Sequence, residues 1–337
     1  MSKSNIEWCD YSWNPIVGCR HDCPYCYARV FAKRFAGDVR QNINDDRCIK
    51  HENGLYEVKE PFINRKGRAL AFPFGFNPTL MSYRLNDPKT WLTGRNIFVG
   101  STADVFGEWV PDEWIESIFN ACKEAPQHNY LFLTKNYFRY MELHKKGLLL
   151  NSENIWYGYS ITKSTDWLCM ANKVYKTFVS LEPLLDDVAI KLCRGNSKVA
   201  DWVIIGAETG NRKGKVIPKK EWIDNILSHC DKWNIPVFMK DSLIPIVGEE
   251  NMRREFPEQL LRDTISEKRK ETQVTHCGKC KKEKRKKDMT AILGKRHRKD
   301  AAIIIGYICD DCIEDFKEGF NNNDKNIGGG SPSTRNT

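Results

Sequence analysis

The run NIFVGSTADVFGEWVPDEWIESIFNACKEAPQHNYLFLT, residues 96–134, decides the fold. It opens and closes on short apolar segments rich in β-branched and aromatic residues, 96–100 and 130–134, with an amphipathic stretch at 111–125 between them. Trp114, Ile118 and Cys122 recur at helical spacing and Pro111 suits a helix start, so the run reads strand–helix–strand. Strands joined through a helix lie parallel, because a tight turn cannot connect them.

The same alternation continues outward. Further strands are expected at 155–161, 176–181, 201–206 and 236–240, with helices at 136–147, 165–175 and 218–233. Earlier strand candidates lie at 12–17 and 69–75. The expected class is α/β, a full or partial βα (TIM-like) barrel. An open doubly wound sheet is the alternative. It usually carries a glycine-rich phosphate loop, and GNRKGK (210–215) is one residue short of one and lacks the following Ser or Thr. Residues 40–95 read as long loops with a helix or two, and 241–270 as a closing helix and linker. The expected division is a barrel domain at 1–257, a linker at 258–275, a small basic four-cysteine domain at 276–320, and a low-complexity, disordered tail at 321–337.

The chain has 337 residues, 41% hydrophobic and 29% charged, which suits a soluble globular protein. No apolar run approaches the length of a membrane span, and MSKSNIEWCD lacks the apolar core of a signal peptide. A cytoplasmic chain with no membrane association is expected; its oligomeric state has no signature in the sequence. In that compartment clustered thiols are metal ligands rather than disulfides. Of thirteen cysteines, seven are clustered; the scattered ones read as buried small hydrophobes, Cys9 excepted. The net charge of +9 equals what residues 266–300 carry alone, fourteen Lys and Arg against five Asp and Glu. No apolar face accompanies this segment, so nucleic acid is the expected partner rather than a membrane.

SWNPIVGCRHDCPYCYA, residues 12–28, sets Cys19, Cys23 and Cys26 in a C-x3-C-x2-C pattern. Three thiolates on one loop can grip three corners of a [4Fe–4S] cluster and leave the fourth iron open. Gly18 and Pro24 help the loop turn, and a helix is expected at 28–37. A zinc site completed by His21 or Cys9 is the alternative. A second set, Cys277 and Cys280 with Cys309 and Cys312, pairs two C-x2-C units across twenty-eight residues. Four thiolates close a tetrahedral structural Zn²⁺ site, which implies a zinc ribbon or treble clef; a second iron–sulfur cluster is the alternative. Basic residues between the pairs could neutralise phosphates.

In a βα barrel, residues just past the strand C-termini face the site. These are Ser101, Thr102 and Asp104; Thr134 and Lys135; Ser160 and Thr162; Ser180 and Glu182; Glu208; and Lys240 with Asp241. Ser101, Thr102, Asp104, Ser160, Glu182 and Glu208 are cofactor-binding candidates, and Glu182, Glu208, Lys135 and Lys240 catalytic ones. Glu182 and Glu208 rank first, because a carboxylate ending an apolar strand is costly without a partner. Lys135 or Lys240 could meet a carboxylate or phosphate. A helix cap or turn is the plain alternative for each, and loop architecture for Trp13 and Asn14.

C-x3-C-x-aromatic-C, with Tyr25 in the aromatic slot, resembles the signature of the radical S-adenosylmethionine superfamily. The opening EWCDYSWNPIVGCRHDCPYCYA more closely resembles one branch, a phage-associated family of unknown function, as do VGSTADVFGEWVPDEWI, LFLTKN, VSLEPLL, DWVIIGAETG and the ending MKDSL…RREFPE. The likeness covers about residues 5–257, so the basic segment and last four cysteines fall outside it. Cys9 departs from the Thr expected in relatives, which leaves open a redox or extra-ligand role. The end of YICDDC is similar to the N-terminal zinc domain of a bacterial unfoldase.

The resemblance implies that Cys19, Cys23 and Cys26 bind a [4Fe–4S] cluster and that Tyr25 lies by the adenine of S-adenosylmethionine. It implies cleavage of that cofactor to methionine and a 5′-deoxyadenosyl radical that abstracts hydrogen from a substrate. An electron donor such as flavodoxin or ferredoxin follows, in a bacterial or phage-infected host cytoplasm. With the basic segment, the expected substrate is nucleic acid or a nucleotide. A protein or peptide substrate, and a non-catalytic metal-stabilised nucleic-acid-binding or adaptor protein, are the alternatives.

Overall fold

A computed structural model describes residues 2–166, 174–189, 198, 200–261, 274–276, 283–285, 289–296, 299–309 and 312. The chain divides into two units, Met1–Ile265 and Ser266–Thr337. The first holds an eight-stranded sheet in the order β1-β2-β7-β8-β9-β10-β11-β12. β1 (Ser2–Lys3) is antiparallel to β2 (Tyr11–Trp13). β7 (Asn96–Val99), β8 (Asn129–Thr134), β9 (Ile155–Ser160), β10 (Lys176–Leu181), β11 (Trp202–Ile205) and β12 (Val237–Met239) follow β2 in one parallel ladder. The seven parallel strands curl into a half-barrel, so the βα expectation holds in its partial form.

These strands are apolar on both faces, which is why they read as continuous runs. Outward residues of β7–β9 pack with Trp114, Ile118 and Phe119 of a helix at Asp112–Lys123, and those of β10–β12 with Ile223, Ile226 and Cys230 of one at Lys220–Lys232. On the inner face Phe98, Leu131, Trp156, Phe178, Trp202 and Phe238 join Trp8 in one aromatic cluster. The Phe178 ring occupies the space over Gly158, where a Cβ would come within 2.2 Å of it. Below this layer Asn96 and Asn129 donate to the carbonyls of Leu260 (2.8 Å) and Gln259 (2.9 Å). Leu260 itself is buried. Residues 258–261, expected in a linker, therefore pack with the first unit, and 241–261 form short helical turns instead of one closing helix.

Three other expectations are revised. The run 12–17 splits: β2 joins the large sheet, while β3 (Ile16–Val17) joins a small one in the order β3-β6-β5-β4. Its partners are β4 (Cys48–Lys50), β5 (Tyr56–Val58) and β6 (Thr79–Met81), where long loops were expected. Residues 69–75 form no strand. Phe72 and Phe74 instead bury their rings in the core of this small sheet, as the backbone turns through Pro73 and Gly75, the latter at φ +64°. The helix expected at 165–175 falls largely outside the described residues. In the second unit β13 (Val274–His276) pairs antiparallel with β14 (Glu283–Arg285), and β15 (Met289–Arg296) with β16 (Lys299–Cys309). Cys277 and Cys280 lie outside the described residues. Among the described residues no helix is long and apolar enough to cross a membrane.

Candidate functional site

The cysteine loop leaves the large sheet at Trp13 and returns as helix α1 (Tyr27–Phe35). Asn14 fixes its departure: its side-chain oxygen accepts from Ser101 Oγ and Thr102 N, both at 3.1 Å, which ties the loop to the segment after β7. Gly18 sits at φ +84°, donates to the Thr102 carbonyl at 3.1 Å, and has no room for a Cβ, which would lie 2.4 Å from Asn77 O. Cys26 caps α1, its Sγ accepting from Arg29 N at 3.4 Å. Arg29 reaches back to the Cys19 carbonyl (3.5 Å) and Asp22 (3.3 Å) and lies over the Phe76 ring. The loop is thus held by backbone and by its own helix, with the three thiols left turned inward.

Those thiols line a cavity of about 660 Å³ at the C-terminal edge of the half-barrel. Tyr25, Ser101, Thr102, Asp104, Thr134, Lys135, Ser160, Ser180, Glu182, Glu208 and Lys240 line the same cavity. Two of the strand-end candidates lie elsewhere. Thr162 donates to Asp166 at 2.9 Å beside a neighbouring pocket of about 320 Å³. Asp241 turns away to Arg254, and its N–H donates to Glu7 at 2.8 Å.

Within the cavity wall the carboxylates of Glu182, Glu208 and Asp104 all have partners. Glu182 accepts from Lys240 Nζ (2.8 Å), Ser180 Oγ (3.0 Å) and Trp8 Nε1 (3.2 Å). Burial acts to lower the Lys240 pKa, but the charge and hydrogen bond of Glu182 outweigh it and hold the ammonium above the ordinary lysine value. Gly206 leaves the space for this pair, since a Cβ there would lie 2.9 Å from Glu182 Oε1. Glu208 is gripped by Arg212 through two hydrogen bonds of 2.5 and 2.7 Å, which hold its carboxyl below the usual range. Asp104 accepts from His21 Nε2 (2.7 Å), Thr134 Oγ1 (3.0 Å) and Lys135 N (2.9 Å), and also from Phe106 N. It braces the cysteine loop rather than presenting a free carboxylate. Lys135 Nζ stands 5.5 Å from the Tyr25 ring centre. Thr102 Oγ1 is buried in the wall with no hydrogen-bond partner.

Desolvation drives the Cys19 thiol up to about 12, and the neighbouring Asp104, Cys23 and Cys26 add to it. Desolvation also raises Cys23, against the opposing charge of Lys135. A nearby cationic centre would favour the thiolate form of both. Of the two alternative fourth ligands, Cys9 lies outside the cavity with its thiol donating to the Ile6 carbonyl at 3.7 Å, whereas His21 lines it, holding Asp104 through Nε2 and packing edge-on against Trp109. Among the described residues no three His, Cys, Asp or Glu side chains converge closely enough to hold a single metal ion.

Sequence reasoning missed two supports of the site: Trp8 was not singled out, and Arg212 sat in a segment weighed only as a phosphate loop, whereas Asn14 serves the loop architecture expected of it. A buried carboxylate at the end of β11 was the signal that a cation had to lie within reach.

Fold and site together define an α/β half-barrel protein with a cysteine-lined cavity at the strand C-termini. Residues 3–243 match the model of the family described as "Protein of unknown function (DUF5131)", and the chain belongs to that family. No curated protein and no solved structure matches it.

Proposed function

We propose that the protein is a radical S-adenosylmethionine enzyme that modifies or repairs nucleic acid. The observation that carries this reading is the meeting of Cys19, Cys23 and Cys26 with Glu182, Glu208 and Lys240 around one cavity. Its volume lies within the range of about 300–1,000 Å³ that holds cofactor-sized ligands. The donor set fits a [4Fe–4S] cluster: three thiols from one loop, no fourth cysteine in the lining, and an orphaned hydroxyl, Thr102 Oγ1, in the wall. Thiolates on three different irons of a cube need not converge as ligands of one ion do. When bound, such a cluster supplies one electron to the sulfonium of S-adenosylmethionine and so a 5′-deoxyadenosyl radical that abstracts hydrogen from the substrate.

The chain's own residues supply positioning and shelter. Cys19, Cys23 and Cys26 hold the cluster. Glu182, anchored by Trp8 and Ser180, and Lys240, kept protonated, offer opposite charges to the amino and carboxylate ends of the cofactor. Lys135 and Tyr25 stand together at the adenine side. The aromatic layer beneath closes the cavity floor against water. Cys277, Cys280, Cys309 and Cys312 would hold a structural Zn²⁺ and the basic residues 266–300 the polymer, with an electron donor such as flavodoxin or ferredoxin as the source of the electron.

Anaerobic reconstitution with iron and sulfide tests the assignment. About four irons per chain are expected, with a paramagnetic signal on reduction that shifts when S-adenosylmethionine is added. A colourless protein that takes zinc in the N-terminal loop sinks it. Deuterium passing from peptides, but not from DNA or RNA, into 5′-deoxyadenosine would replace the nucleic-acid substrate with a protein one.

A further inference from the structure

Helix α1, YARVFAKRF, packs on the body of the protein through the small residues Ala28 and Ala32. Its other side leaves large apolar groups in the open: Tyr27 is 50% exposed, Val30 66%, Phe31 47% and Phe35 52%. Tyr27, Phe31 and Phe35 stand at i, i+4 and i+8 and form one row. Adjacent ring centres are 6.1 and 6.2 Å apart; Phe31 and Phe35 lie within 24° of parallel, and Tyr27 meets Phe31 edge-on at 82°. The row has a fixed start. Tyr27 OH is tied to the Ser101 carbonyl at the cavity wall; Tyr27, Val30 and Phe31 line the cavity, and Phe35 lies beyond it.

Within the helix no acidic residue occurs: Arg29 is taken up by Asp22 and the Cys19 carbonyl, Lys33 and Arg34 are exposed, and the Arg34 guanidinium lies 5.3 Å from the Phe35 ring centre. Exposed near-parallel rings with cations on the same helix are what bases and phosphates of an unpaired strand recognise. A duplex hides its base faces inside the stack. A lipid surface would meet the rings and cations but not the carboxylate-bearing cavity into which the row leads.

We infer that α1 is a stacking platform for single-stranded nucleic acid, which leads one nucleotide off the end of the row into the cysteine cavity. Bases stack on Phe35 and Phe31, Lys33 and Arg34 meet the flanking phosphates, and Tyr27 marks the threshold. The destination of the target nucleotide rests on the proposed function; the binding on α1 does not.

Full-length protein is irradiated with an oligothymidylate of about 16 nucleotides, and the cross-linked peptides are mapped. Anisotropy of the same labelled strand is read at about 0.3 M salt, where phosphate contacts to the basic segment are weakened. Cross-links are expected on residues 27–35. Phe35→Ala is expected to weaken the strand by about fivefold to over a hundredfold, with Phe35→Trp restoring it and Phe35→Leu not. Exposure of the ring lets each variant fold, which circular dichroism checks. The inference is overturned by cross-links confined to 266–300, by unchanged binding in Phe35→Ala, by equal rescue with Leu, or by a preference for anionic vesicles. Iron content is measured on the same samples. A colourless protein that still stacks the strand on α1 removes the proposed chemistry alone, and a fully loaded one with no α1 cross-links removes the platform alone.

Discussion

Two levels of one sheet differ sharply, though a single residue pair along each strand separates them. On the inner face Trp156 gives way to Gly158 and Ser160, Phe178 to Ser180 and Glu182, Phe98 to Gly100, and Phe238 to Lys240. The lower level is a filled aromatic floor; the upper one is small, polar and hollow. Strand geometry forces both onto the same side, since alternate residues share a face. The floor contributes stability by burying large rings, and the rim gives up that packing to make a cavity. The same backbone thus carries a filled structural layer and a cavity-lining one.

Breaking the floor should have the largest effect. Trp202→Ala removes a fully buried ring from the floor and is expected to cost about 3–5 kcal/mol in urea unfolding, while the molecules that remain folded still take up iron. Gly158→Ala should come next, at about 1–3 kcal/mol, because the added methyl must displace the Phe178 ring. An unchanged melting temperature would show that the floor is looser than described.

At the rim the effects on stability shrink and those on chemistry grow. Glu182→Gln can keep one acceptor oxygen for Ser180 and Trp8 but removes the charge and the second acceptor that sustain Lys240. About 1 kcal/mol of stability should be lost, since the pair is partly exposed. Lys240 contributes through a raised pKa, so that stability is present through neutral pH and fades only as pH rises past the ordinary lysine value. In the variant, burial loses its main opponent and the Lys240 pKa drops, which an NMR titration of the lysine side chain would read.

The effect of Arg212→Gln, which takes the cation from the buried Glu208 carboxylate, is read in the acid limb. Glu208 has a lowered pKa, so its contribution is present above the ordinary carboxylate range and is lost as pH falls through the lowered value. The variant should begin its acid unfolding at higher pH than the parent, and coincident acid limbs would remove Arg212 from the account.

The same two levels explain what could be read in advance. The strands of the parallel ladder were legible because both faces are buried, which makes them apolar runs with sharp ends. Their last residues then pointed to the cavity, and Ser101, Thr134, Ser160, Glu182 and Lys240 were found on its wall. The small sheet was not legible: strands of two or three residues are too short for an alternating pattern to register. Residues 69–75 misled for the opposite reason, because Phe72 and Phe74 are apolar for packing and not for pairing. Position past a strand end also could not tell a free group from a braced one. Asp104 and Glu208 look alike in sequence, yet one is bound by His21, Thr134 and two backbone N–H groups and the other by Arg212.

The central claim is that the hollow rim houses the three-thiol loop as a site for radical chemistry. It is tested most directly by the 5′-deoxyadenosine that the anaerobically reconstituted full-length chain releases from S-adenosylmethionine with dithionite, measured beside Cys23→Ala. Release by the parent and none by the variant is the predicted result. No release from a parent loaded with about four irons per chain, or equal release from the variant, would contradict it.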